Sequence, residues 1–199
     1  MVNKTTFKQY LLEAKMPPAE DVHDLLISIV NGHFTKDGSK LKVTGNFWCH
    51  SNQLKSLEGC PQTVGGYFDC SNNQLESLEG CPQTVGGDFN CWNNKLKSLE
   101  GCPQTVGGYF NCYNNKKLTS LTRINFYVHE INGTGGADFE GCPIKSNVLG
   151  ILKIRGLKKV KFTDKQLEEI MNKYLPMGNI SECMDDLLDA GFSKEYCKW

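Results

Sequence analysis

Hydrophobic positions in the middle of this chain recur every 21 residues. Residues 46–66 read NFWCHSNQLKSLEGCPQTVGG, residues 67–87 YFDCSNNQLESLEGCPQTVGG and residues 88–108 DFNCWNNKLKSLEGCPQTVGG. A fourth copy opens at Tyr109 as YFNCYNN, takes one extra Lys (Lys116 or Lys117), and keeps Leu118 and Leu121 before it diverges. The eleven residues SLEGCPQTVGG occur three times unchanged, which chance does not produce. Such self-similarity is the signature of a solenoid, whose coils bury apolar faces only against one another.

Within each copy the pattern alternates as in a short, half-buried strand. Phe47/Cys49, Phe68/Cys70, Phe89/Cys91 and Phe110/Cys112 form the inward set, and Leu75, Leu78, Cys81 and Val85 line the rest of a coil. Gly65-Gly66 and its copies precede each strand and suit a tight corner or a positive φ. Pro82 excludes a regular helix from the return path, which is expected to be extended or one turn of 3-10 helix. Asn52, Asn73, Asn94 and Asn115 follow the strands, where a buried amide can satisfy backbone groups of its own turn and of the next coil. The fold class expected is an α/β solenoid. Its short parallel sheet of 21-residue coils spans 43–121, with strands at 67–70, 88–91 and 109–112 stacked one repeat apart.

An open stack exposes Phe, Leu and Cys at both ends, so both need caps. Residues 1–42 read as an N-terminal helical cap. One helix covers 6–14 with Phe7, Tyr10 and Leu11 on one face; a second runs from Pro18 through Val22, Leu25, Leu26 and Ile29 to Asn31-Gly32. Lys36-Asp37-Gly38-Ser39 reads as a hairpin turn. Residues 122–199 read as a degenerate repeat and a C-terminal strand-plus-helix cap. There Ile124, Phe126 and Val128 alternate as a strand, and Glu140-Gly141-Cys142-Pro143 repeats the return motif. Leu149 to Phe162 is strand-rich. Thr163 caps a helix over Asp164 to Leu175, and a last helix runs from Ile180 to Ala190.

Composition narrows the function classes. The 199 residues carry 22 basic and 22 acidic side chains, so a chain-wide polyanion-binding tail is excluded, while 39% apolar residues suffice for a core. The longest apolar run, Leu25 to Val30 broken by Ser28, is far short of a bilayer span, and no secretory signal is expected. The ten cysteines are expected to be reduced core residues. They fall in two stacked ladders, Cys49/Cys70/Cys91/Cys112 and Cys60/Cys81/Cys102. A ladder is a line rather than a tetrahedron, and no His repeats with it, so zinc is not expected.

The pattern F-x-C-x-x-N-x-L-x-x-L-x-x-C-P resembles the leucine-rich repeat, with Phe and Cys at two leucine sites. Its short period and Cys-Pro return are similar to the bacterial-effector type. The glycine-framed form is similar to repeat proteins of large tailed bacteriophages. The resemblance covers about residues 43–121. Phe7-Lys8-Gln9-Tyr10-Leu11-Leu12-Glu13-Ala14 resembles the capsid-targeting peptide of internal proteins packaged by T4-like phages, which implies cleavage between Glu13 and Ala14. The same residues also read as an ordinary amphipathic cap helix. Cys183-Met184-Asp185 resembles the Cys-x-Asp of leucine-rich-repeat ubiquitin ligases, but the large helical domain of that family has no room here.

The return path of each copy is invariant, and differences between copies gather at three outward strand positions. These are Asn46/Tyr67/Asp88/Tyr109, Trp48/Asp69/Asn90/Asn111 and His50/Ser71/Trp92/Tyr113. In a leucine-rich repeat they form the concave face. Exposed Trp and Tyr beside short polar residues is the composition of an interface centre; the alternative is that aromatic pairs only stabilise the sheet. The candidate partner-binding residues are Trp48, His50, Tyr67, Asp69, Asp88, Asn90, Trp92, Tyr109, Asn111 and Tyr113. No catalytic set, cofactor site or metal site is expected. The basic run Lys153, Arg155, Lys158, Lys159, Lys161 and Lys165 reads as a solvated cap face rather than a nucleic-acid contact.

The function expected is a non-catalytic, phage-encoded binding module that grips a host protein and inhibits it sterically in the bacterial cytoplasm. An anti-phage defence protein is the target the resemblance implies. The alternatives are a structural or packaged virion protein that binds another phage protein, and an effector enzyme with its activity in the C-terminal cap.

Overall fold

The computed structural model describes residues 30–31, 34–37, 40–132 and 136–198. The helices expected over 6–14 and from Pro18, and the Glu13–Ala14 cleavage site, lie outside the described residues. Within them the chain is a parallel β-solenoid with two sheets. The first holds, in order, Val30–Asn31, Asn46–Trp48, Phe68–Asp69, Phe89–Asn90, Phe110–Asn111, Ala137–Phe139 and Val160–Phe162. The second holds Phe34–Asp37, Lys40–Val43, Thr63–Val64, Thr84–Val85, Thr105–Val106 and Glu130–Ile131. The return path therefore also builds a sheet, from the β-branched Thr-Val pairs.

Register follows the repeat. Phe47, Phe68, Phe89 and Phe110 face one another in turn across the first sheet. Val43, Val64, Val85 and Val106 do so across the second. Between the sheets lies a core of stacked copies. The rings of Phe47, Phe68 and Phe89 are 5.6 and 5.8 Å apart, near parallel. At the fifth coil Ala137 takes the first inward position, and the ring stack passes to the second through Phe110–Phe139 and Phe139–Phe162. Nine of the cysteines are buried and all ten are free thiols.

A buried asparagine ladder ties the coils together. The Asn73 amide donates to Cys49 O at 3.0 Å and Cys70 O at 2.9 Å, while its Oδ1 accepts from Asn52 N and Leu54 N. Asn94 and Asn115 repeat the two donations on the following coils, and their Oδ1 atoms accept from Leu75 N and Leu96 N. Beside it runs an outer ladder. Asn72, Asn93 and Asn114 take left-handed φ of 53°, 54° and 58°, and their amides bond one to the next.

The glycines divide into two kinds. Gly80 and its copies Gly59 and Gly101 have positive φ. The Gly-Gly pairs do not; there the coils approach so closely that a Cβ on Gly86 would strike the Gly65 carbonyl. Close approach rather than a left-handed turn explains them.

Further elements flank the repeats at each end. At the start, Val30–Asn31 pairs antiparallel with the first repeat strand, and Phe34–Asp37 forms a hairpin with Lys40–Val43, Asp37 opposite Lys40. Val30–Asn31 is thus strand where a helix end was expected. At the other end the helix Lys165–Tyr174 lies along the last strand of the first sheet, followed by the helix Ile180–Asp189.

The C-terminal region departs from expectation in four places. Ile124–Tyr127 is a helical turn, α1, not a strand; Ile124 and Val128 are both buried, and i, i+4 spacing serves a helix as well as alternation serves a strand. Leu149–Lys153 is a 3-10 helix with four buried residues, so only Val160–Phe162 of that apolar stretch is a strand. Asp164, not Thr163, caps the helix Lys165–Tyr174, hereafter α2: its Oδ1 accepts from Gln166 N and Leu167 N, while Thr163 Oγ1 accepts from Gly141 N. Finally, Gly141 stacks on Asn114, at the end of a strand, rather than on a return path. Its φ of 73° replaces a left-handed Asn, and the Cys142 thiol donates to Cys112 O where the next ladder amide would stand.

Candidate functional site

The outward face of the first sheet is a grid of three columns. Asn46, Tyr67, Asp88 and Tyr109 form the column at the start of the strands. These side chains lean along the stack: a Cβ on Gly87 would meet the Tyr67 ring, and one on Gly108 the Asp88 carboxylate. The second glycine of each pair thus makes room for the outward side chain of the preceding coil. Asn46 Oδ1 accepts from Tyr67 N and Asp88 Oδ1 from Tyr109 N, both at 2.8 Å.

Trp48, Asp69, Asn90 and Asn111 form the middle column. Asp69 Oδ1 accepts from Ser71 N at 2.9 Å and Asn111 Oδ1 from Tyr113 N at 3.1 Å, closing the strand end in a local turn. His50, Ser71, Trp92 and Tyr113 form the third column; His50 Nδ1 lies 3.3 Å from Ser51 Oγ. Ser71 is buried, whereas Trp48, Tyr67 and Tyr113 are 36%, 50% and 45% exposed. Trp92, Tyr109, Asp69, Asp88, Asn90 and Asn111 are half-buried.

The fifth and sixth coils extend the grid with residues the repeat comparison passes over. Asp138 stands beside Asn111 and Lys161 beside Asp138. Asp138 is buried, accepts from Tyr109 OH at 3.0 Å and pairs with Lys161 at 3.4 Å. Burial and this carboxylate push the Tyr109 phenol up, so it stays a neutral donor. Tyr109 is therefore tied into the fold more firmly than the other four aromatics. Glu140 pairs with Lys165 at 2.6 Å. The signal in the sequence was Gly136-Ala137-Asp138-Phe139, a glycine followed by the same alternation as in the repeats.

Copies also differ at Lys55, Glu76 and Lys97, off this face, and there the ladder explains it. Glu76 bridges Lys97 at 2.6 Å and Lys117 at 3.8 Å, alternating charge where like charges would repel.

Other chemistry is absorbed by the fold. Cys183 is fully buried with its Sγ 3.9 Å from Met171 Sδ, and desolvation pushes its thiol up to about 12, the reverse of a nucleophile. Within the basic run Arg155 pairs with Glu130, Lys161 with Asp138, and Lys165 with Glu140 and Glu168. A cleft of about 350 Å³ lies between Ile144, Lys145, Phe162, Asp164 and Tyr196. Asp164 is committed to capping α2, and Tyr196 OH donates to Ile144 O at 3.1 Å. Among the described residues no group of three or more His, Cys, Asp or Glu is placed to hold a metal ion, and no helix is long and apolar enough to cross a membrane. No protein-family model, curated protein or solved structure matches the chain.

Proposed function

We propose that this chain is a non-catalytic binding module that grips a protein partner with the outward face of its first sheet and covers that partner's working surface. The observation that carries this reading is the exposure of Trp48, Tyr67 and Tyr113 on one face, beside half-buried Trp92, over coils stacked in register. Large aromatics on a preorganised support are what interface centres are made of, because they lose little entropy on binding. The coil itself reads as a short leucine-rich repeat, with Phe and Cys at leucine sites, on the strength of its buried asparagine ladder. The resemblance to phage repeat proteins makes a bacterial host protein the partner to seek, with steric inhibition as the mode. The test is photo-crosslinking in host extract from a probe placed at Asn90, with Gln83 on the return path as control. Transfer to one host protein from position 90 and not from 83 supports the reading; equal labelling from both, or from 83 alone, contradicts it.

A further inference from the structure

The outward face carries two kinds of carboxylate. On coils five and six, Asp138 and Glu140 are paired with Lys161 and Lys165. On coils two and three, Asp69 and Asp88 have no Lys or Arg within ion-pair distance among the described residues. Neither needs its charge for the fold. Asn46 holds Tyr67 N as Asp88 holds Tyr109 N, and Asn111 holds Tyr113 N as Asp69 holds Ser71 N. An amide serves equally at both positions, and the second oxygen of each carboxylate has no partner among the described residues. Unpaired carboxylates also stand on the turns at Glu79 and Glu100, but the turns carry no Trp or Tyr in any copy. Asp69 and Asp88 stand among the aromatics: Asp69 is one coil from Trp48, and Asp88 one coil from Tyr67 and from Tyr109.

We propose that this face receives an extended basic segment of a partner protein, with Lys or Arg side chains on Asp69 and Asp88 and their stems against Trp48, Tyr67 and Trp92. The inference rests on the reading of the face as a protein-binding surface. Charge argues for it: the outward positions of coils one to four hold two acids, one His and no Lys or Arg. That repels phosphate and attracts cations. Aromatic faces flanking a carboxylate favour Arg and Lys further. Spacing argues for it as well. Asp69 and Asp88 lie one strand and two residues apart, about 8 Å by strand geometry, close to the ~7 Å between side chains i and i+2 of an extended peptide.

The test uses the full chain with three probes. These are a capped hexapeptide with Arg at alternate positions, the same peptide with Glu for Arg, and maltohexaose as a neutral ring-stacking ligand. Calorimetry and tryptophan emission are read at about 50 mM and about 500 mM salt. The Arg peptide is expected to bind, and the other two not. The double variant Asp69→Asn/Asp88→Asn is expected to lose about tenfold in affinity with an unchanged melting temperature, and high salt to weaken the wild type similarly. Undiminished binding by the double variant, preference for the Glu peptide or the glycan, or no binding of any probe overturns the inference. Loss of Arg-peptide binding in Trp92→Ala but not in the double Asn variant leaves the face as the binding surface and removes only its basic specificity. Arg-peptide binding unchanged by either substitution removes both readings.

Discussion

Asn172 of α2 reads the backbone of Val160 as a neighbouring strand would: its Nδ2 donates to Val160 O and its Oδ1 accepts from Val160 N, both at 2.8 Å. Glu168 Oε2 accepts from Phe162 N at 2.8 Å, and Lys165 Nζ donates to Phe162 O at 3.1 Å. Three helical side chains thus close the edge of the first sheet, which would otherwise template another chain. Asn172→Leu is expected to cost about 2 kcal/mol, since it leaves two strand groups unpaired, and to make the protein self-associate. Thermal melts and sedimentation across a concentration series check this; a stable monomer at every concentration would contradict it.

The buried ladder is expected to dominate stability per residue. Asn94→Ala leaves Leu75 N without its partner and takes one of two amide donors from each of Cys70 O and Cys91 O, which keep Asn73 and Asn115. At ~1–3 kcal/mol for the buried N–H left unpaired and about 1 kcal/mol for each carbonyl bond lost, the loss should be about 3 kcal/mol. Its neighbour Asn93 is exposed and left-handed. Asn93→Gly suits that conformation and should stay within about 1 kcal/mol of the parent. Denaturant melts of the two variants should therefore differ widely; similar midpoints would mean that the inner ladder carries no special load.

The repeats made the first sheet legible, because Phe-x-Cys alternation at a fixed period leaves one way to stack and one way to face. Asn73 and its copies were legible for the same reason: a polar residue fixed inside an apolar run must find backbone partners. The second sheet was less so, since Thr-Val is too short to show a period. Ile124 and Val128 satisfy a helix and a strand equally. Glu140-Gly141-Cys142-Pro143 copies the return motif in letters, yet its glycine fills a left-handed asparagine position, a distinction only φ reveals. On the outward face the aromatics were legible, but the hydrogen bonds that Asn46, Asp69, Asp88 and Asn111 make to the next strand or turn were not. Those bonds decide which polar side chains there are structural and which charges are spare.

Because each coil contacts only its neighbours, removing residues 67–87 should leave a folded, cooperative protein with Phe47 stacked on Phe89. The deletion also removes Glu76 and brings Lys55 toward Lys97, so stability should fall by more than one coil's burial alone. Circular dichroism and a melt check it. An unfolded product would show that the repeats are not interchangeable.

The buried thiols make stability depend on alkaline pH. Desolvation raises Cys91 to about 11, against ~8.5 for an exposed thiol. A raised folded value means that the unfolded chain releases its proton first. The stabilising contribution is complete below pH ~8.5 and is lost as pH climbs from there to about 11, at up to ~1.4 kcal/mol per pH unit for each such thiol. Denaturant midpoints across this range should fall steadily, and native thiols should react slowly with alkylating reagents at neutral pH. A flat profile, or rapid labelling of all ten thiols, would contradict a reduced, buried core.

The most direct test of the binding face compares three variants in a pull-down and a melt. Trp92→Ala with Tyr113→Ala removes two outward rings at coils three and four, and each should cost ~2 kcal/mol or more of binding. Neither leaves a buried cavity, so the melting temperature should barely move. Phe89→Ala empties a fully buried site and should cost ~3–5 kcal/mol of folding energy. Glu79→Ala with Gln83→Ala, on exposed turn and return positions, should alter neither quantity. Loss of the partner by the aromatic pair at an unchanged melting temperature is the result expected. Retention of the partner by that pair, with loss in Glu79→Ala/Gln83→Ala, would move the working surface to the other side of the solenoid and contradict the account.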